Sequence, residues 1–196
     1  MPDSHKIKTL EELAPLVRQF RRGGRTVVFT NGCFDLLHVG HVRYLAAARG
    51  QGDLLVVGVN SDRSVQTIKG ERRPIVPEAE RAEVLAGLAC VDFVTVFAEA
   101  DPLRVIQALR PDVLVKGGDW AEAEIIGADA VKQEGGRVVR IPLVEGAGTS
   151  ALITALHGVR SEQAGPVLVT ASDRRESKAA YFYEMWFGDG AASLLV

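Results

Sequence analysis

The sequence predicts an α/β fold: a Rossmann-like, doubly wound parallel sheet of five strands with helices on both faces, an N-terminal helix and an irregular C-terminal tail. Three observations lead there. TVVFT (26–30) and DLLVVGVN (53–60) are apolar throughout, as strands buried on both faces are. Segments at helical spacing separate such runs along most of the chain. Polar and glycine residues gather at 31–41, 60–74, 116–120 and 145–150, each just after an expected strand. That is where an open α/β sheet binds its ligands.

The elements follow in order. Leu10, Leu13, Leu16, Val17 and Phe20 share one face of a helix over 9–22, opened by a Thr9/Glu12 capping box and closed by Gly23-Gly24. A strand at 26–30 runs into the turn NGCFD, and a helix covers about 39–49. After the strand at 53–60, residues 61–77 are polar and basic and read as a loop. A helix at 78–89, a strand at 91–97 and a helix at 101–110 come next, with Pro102 suited to the first turn of the last. Residues 111–120 form a strand entering a Gly-Gly loop, 122–134 a helix and 136–143 the fifth strand. A glycine-containing turn over 145–156 feeds a final helix. The alternation stops after Val159, so the expected division is a domain over 1–158 and an extension over 159–196.

Composition narrows the function. The chain has 196 residues, 47% hydrophobic and 24% charged, and a formal net charge of -2. Those proportions are those of a globular domain, and a near-neutral balance argues against a nucleic-acid partner. Cys33 and Cys90 have no CxxC neighbour, which fits a reducing compartment and no disulfide framework. The opening MPDSHKIKTLEELAPLVRQFRRGG is amphipathic and contains acids, unlike the core of a signal peptide. No run of about 18 apolar residues occurs, so no membrane partner is expected and the cytoplasm is the expected compartment.

The chemistry concentrates in NGCFDLLHVGH (31–41). A small turn leading into a helix leaves backbone N–H groups pointing outward as an anion site. His38 precedes the helix and His41 lies in its first turn, so both imidazoles can face one anion, and Gly40 clears the approach. Helix capping or filling of a surface groove is the plainer reading of the pair. A metal pair is the weakest, because no third ligand follows at HExxH-type spacing. IKGERRP adds Lys69, Arg72 and Arg73 at the next strand end, with a solvated basic surface as its plainer reading. KGGDW adds Lys116, Gly117 and Asp119, or else a tight turn with a charged rim. GAGTS puts Thr149 and Ser150 at a helix N-terminus, where capping and phosphate binding are compatible. The first turn lacks GxGxxG, which disfavours a dinucleotide oxidoreductase.

TNGCFDLLHVGH resembles the signature of the cytidylyltransferase-like nucleotidyltransferases, whose hallmark is HxGH after the first strand. VNSDRSVQTIKGERRPIVPEAERAEVLAGLACVDFV and PDVLVKGGDW are similar to the heptose 1-phosphate adenylyltransferase branch of that superfamily. The likeness covers roughly residues 5–158 and includes no kinase domain, so it implies the free-standing form of the branch. It further implies transfer of AMP from ATP to a sugar 1-phosphate, D-glycero-β-D-manno-heptose 1-phosphate, with Mg²⁺ arriving with the ATP. His38, His41 and Lys69 would then be catalytic. Thr30, Asn31, Gly32, Phe34, Asp35, Gly40, Lys116, Gly117, Asp119, Thr149 and Ser150 would bind the nucleotide. Arg72 and Arg73 would bind the substrate, with orientation of the loop as the alternative role for one of them. A homodimer is an assembly that the resemblance allows. The family's Ser-Thr-Thr is here Gly148-Thr149-Ser150, a departure that leaves one hydroxyl fewer.

Two other readings stay open at this point. One is a sister cytidylyltransferase acting on glycerol-3-phosphate or ethanolamine phosphate; the other is a non-catalytic nucleotide-binding remnant. The tail VLVTASDRRESK…FGDGAASLLV resembles a short internal stretch of thiolase-like condensing enzymes, without that family's catalytic cysteine and histidine.

Overall fold

Five all-parallel strands in the order β3-β2-β1-β4-β5 form the sheet of this computed structural model, which describes residues 4–118, 124–142, 148–149 and 152–155. The strands are β1 (Val27–Gly32), β2 (Leu54–Asn60), β3 (Phe93–Phe97), β4 (Val113–Gly117) and β5 (Arg137–Ile141). The helices are α1 (Leu10–Arg22), α2 (Val39–Arg49), α3 (Asp62–Lys69), α4 (Glu78–Ala86), α5 (Leu103–Leu109) and α6 (Ala128–Gln133). Contacts divide the chain into two compact units, Met1–Thr149 and Ser150–Val196, and the sheet belongs to the first.

The expected doubly wound architecture is present, and the central strands show why their sequence is apolar on every residue. Val27, Phe29, Leu54, Val56 and Leu114 face one core with Leu13, Val17, Ile106, Leu109 and Val131. Val28, Leu55, Val57, Val59, Val113 and Val115 face a second core with Leu45, Ala82, Leu85 and Ala86. Alternate residues of one strand thus enter opposite layers, α1, α5 and α6 on one side and α2 and α4 on the other. Burying these side chains is the main force holding the sheet.

Local chemistry sets the ends. The Thr9/Glu12 capping box of α1 is complete, with Thr9 N donating to Glu12 Oε2 at 2.9 Å and Glu12 N to Thr9 Oγ1 at 3.3 Å. Before it, Ile7 forms a parallel bridge with Val94 and Lys8 N donates to Val94 O at 2.9 Å, so these two residues lie along β3. β1 extends beyond the expected 26–30 to include Asn31 and Gly32, because both remain in register with Gly58 and Val59 of β2.

One expected loop is wrong in part. Residues 62–69 are helical: Ser61 accepts a bond from Ser64 N as N-cap, and Ser64 and Val65 turn inward. Their polarity conceals a helix because only one narrow stripe is buried. Pro102 stands at the N-cap of α5 rather than inside its first turn. The helix expected over 122–134 is regular only at Ala128–Gln133, behind Gly127 in the left-handed region, while 119–123 lie outside the described residues. Of the expected final helix, residues 149 and 152–155 are helical. The rest of that segment and the tail from 156 onward lie outside the described residues.

Gly58 is paired with Asn31, and a Cβ there would stand 2.9 Å from Phe29 Cζ and 3.2 Å from Asn31 Cβ. Gly58→Ala should therefore destabilise the fold by about 1–3 kcal/mol through overpacking. The check is a urea titration, in which the midpoint should fall while the slope stays unchanged.

Candidate active site

In a 3-2-1-4-5 sheet the chain leaves β1 on one side and enters β4 on the other, opening a crevice beyond their carboxyl ends. The turn after β1 forms one wall. Phe34 has φ 46, a conformation rare outside glycine, which turns its ring inward against Gly32. That ring also meets the His41 imidazole edge-on, with centroids 5.3 Å apart.

His38 is the N-cap residue of α2, yet its side chain makes no capping bond. The His38 and His41 rings stack at 3.9 Å. Both Nδ1 atoms are buried and, among the described residues, have no hydrogen-bond partner. Burial lowers the His41 pKa to about 4, helped by the adjacent His38 and opposed by the Leu36 backbone. His41 is thus uncharged near neutral pH. The pair is not consumed by capping, and it stands at the start of α2, where helix N–H groups lack intrahelical partners.

Lys116 supplies the opposite wall. Its ammonium donates to Asn31 Oδ1 at 2.5 Å, bridging β4 to β1 across the crevice. Burial lowers its pKa to about 8, against the Cys33 side chain, which favours the charged form. Gly117 ends β4, and Gly118 N donates to Ile141 O at 2.8 Å. Asp119 and Ser150 lie outside the described residues. Thr149 Oγ1 donates to Leu36 O at 3.4 Å, bringing that segment to the β1 turn.

The basic segment forms the third side. Lys69 is exposed at the last position of α3, and Arg72 is exposed beyond it. Burial pushes the Cys33 thiol up, while Lys69, Arg81 and Arg73 pull it down, so all three cations act on the β1 turn. Asp35 is 4% exposed and faces inward. One of its oxygens accepts from Arg73 Nε at 2.6 Å, the other from Ile75 N at 2.8 Å and Val76 N at 2.9 Å. Its carboxylate therefore binds the loop itself. Thr30 is likewise buried, its hydroxyl 2.7 Å from that of Tyr44.

Sequence reading missed Arg81. Its side chain is fully buried, and its guanidinium donates to Val76 O at 2.8 Å, Cys33 O at 2.5 Å and Asp62 Oδ1 at 2.7 Å. The available signal was periodicity: Arg81 shares a face of α4 with Ala82, Leu85 and Ala86.

A nucleotide-binding α/β protein of the nucleotidyltransferase class is what this fold and crevice define. A family model described as cytidylyltransferase-like matches residues 29–141, and the chain belongs to that family. It is 55% identical over 153 residues to the bifunctional protein HldE of Geotalea uraniireducens, covering 78% of this chain and 31% of that protein. A second bifunctional protein HldE, from Koribacter versatilis, is 55% identical over 152 residues. The chain thus spans about a third of the length of these relatives. Among solved structures it is similar to the lipopolysaccharide core biosynthesis protein of Thermoplasma volcanium, at 30% identity and a TM-score of 0.51. That match covers 62% of this chain and 98% of the other. No helix among the described residues is long and apolar enough to cross a membrane.

The His41 shift carries a stability consequence. Its folded pKa of about 4 lies below the ordinary 6.5, so between these values the unfolded chain holds more protons than the folded one. Stability present above pH 6.5 is lost as the pH falls toward 4. His41→Gln should flatten that part of the stability profile, measured as denaturation midpoints across the window. An unchanged slope in the variant would reject the assignment.

Proposed function

We propose that the chain is an adenylyltransferase that transfers AMP from ATP to a sugar 1-phosphate, D-glycero-β-D-manno-heptose 1-phosphate, releasing pyrophosphate and ADP-heptose. The observation that carries this reading is the stacked, half-buried His38–His41 pair, its Nδ1 atoms buried and without partners among the described residues, at a helix N-terminus beside the β1/β4 crevice. The family match supports nucleotidyl transfer, and the similarity to a lipopolysaccharide core biosynthesis protein supports a sugar acceptor. The cytoplasm suits both substrates.

A phosphate oxygen of the sugar 1-phosphate attacks the α-phosphorus of ATP, the α–β bridging bond breaks, and pyrophosphate leaves. The attacking oxygen is already anionic, so no general base is required. Rate comes from positioning and from stabilising the charge that builds on the α- and β-phosphates. His38 and His41 donate hydrogen bonds to this region, while Lys69 and Lys116 provide the positive charge. Thr149 and Ser150 hold the leaving pyrophosphate, and Asn31, Gly32, Gly117 and Asp119 line the nucleotide. Arg72 reaches toward the sugar phosphate. Asp35 and Thr30 act from behind, holding the loop and the strand end.

The triphosphate brings its magnesium as part of the substrate, coordinated by phosphate oxygens and water. Among the described residues no three His, Cys, Asp or Glu side chains converge, and both Asp35 oxygens are already engaged.

His41→Ala should lower the rate of pyrophosphate release from ATP and heptose 1-phosphate by about 10²–10³. Near-full turnover by that variant would overturn the assignment. Faster release with CTP and glycerol-3-phosphate would move the protein to the cytidylyltransferase side of its family. Lys116 adds a pH dependence: as the pH rises through about 8 its charge is lost, so kcat/KM for ATP should fall. Lys116→Arg should remove that alkaline limb.

A further inference from the structure

Arg81 contacts three separate segments, and each leads to a different part of the crevice. Cys33 begins the turn that ends in His38 and His41. Asp62 is the first residue of α3, whose last is Lys69. Val76 closes the basic loop, and its own N–H is held by Asp35. Glu78, one turn before Arg81 on α4, accepts from Asp62 N at 2.7 Å and fixes the same helix start. No packing need explains an arginine there. Its neighbours on the buried face are Ala82, Leu85 and Ala86, and a buried ion pair is commonly replaced by apolar side chains at no loss of stability.

We propose that Arg81 is a positioning residue for nucleotidyl transfer, its guanidinium setting the spacing between the histidine-bearing turn and the helix that ends in Lys69. The proposal rests on the function argued above. Arg81 lies beneath the crevice and touches no substrate. The planar fork is what the role demands, since donors fixed in three directions meet three acceptors at 2.5–2.8 Å. A lysine ammonium has charge and reach but cannot span the same three oxygens.

The test is Arg81→Lys in the full chain, alone and with Lys69→Ala. Arg81→Lys is expected to unfold cooperatively, to keep its KM for ATP, and to lose on the order of 10² in kcat, the effect of a displacement of about 1 Å. Because Arg81 acts through the Lys69 helix, the double variant should be no slower than the slower single one. Multiplying losses, or an unchanged kcat in the folded fraction, would overturn the proposal. Asp62→Asn weakens the same link from a half-buried partner, and should lower kcat in the same direction by less. Should Arg81→Lys fail to fold, Asp62→Asn decides, and wild-type turnover by it counts against the proposal. A wild-type chain that binds ATP without releasing pyrophosphate overturns the transferase reading alone. Pyrophosphate affinity by calorimetry then reads the positioning: weaker in Arg81→Lys and non-additive with Lys69→Ala upholds it, and an equal affinity refutes it.

Discussion

A buried carboxylate organises the crevice. Asp35 cannot stay charged out of water without partners, and it finds three: the Arg73 guanidinium and the backbone N–H groups of Ile75 and Val76. These partners come from a segment about forty positions further along the chain, beyond a whole strand and two helices. Pairing in the sheet places the β1 turn but says nothing about where the loop after α3 goes. Asp35 supplies that information. Wherever the turn folds inward, the loop has to follow, because the alternative is an unpaired charge in the interior.

The same economy shapes the charge of the crevice. Arg73 and Arg81 are tied to carboxylates, so their charge is largely spent on the architecture. Lys69 is exposed at the end of α3, and Lys116 is tied to the neutral side chain of Asn31 instead of to a carboxylate. Burial, helped by the adjacent His38, keeps His41 uncharged near neutral pH, so it adds no fixed charge to the crevice.

Much of this was legible in the chain before its structure. Strands buried on two faces show as unbroken apolar runs, and the segments that carry the histidine pair and Lys116 are recognisable as strand ends. What escaped was of another kind. Helix α3 has a polar exterior and a single buried stripe at Ser64 and Val65, so composition resembles a loop. Asp35 and Thr30 read as ligand-facing because they sit in the signature, whereas their side chains point to Arg73 and Tyr44. Arg81 was marked only by its place on the buried face of α4, because its three partners are two carbonyls and one carboxylate from other segments. Motifs disclose which segments meet a ligand, but tertiary partners decide which side chains do.

The strand of contact between Ile7, Lys8 and Val94 has a practical bearing. A sheet edge with free backbone groups is a template on which another chain can add a strand. At β3 that template is already taken, in part, by Ile7 and Lys8. At the opposite border β5 exposes Arg137 and Arg140, whose charges discourage stacking by a second sheet. The few residues ahead of α1 therefore act as a guard rail. Trimming them, or fusing a tag that pulls them away, would bear on self-association well before it touched the chemistry at the other end of the strands.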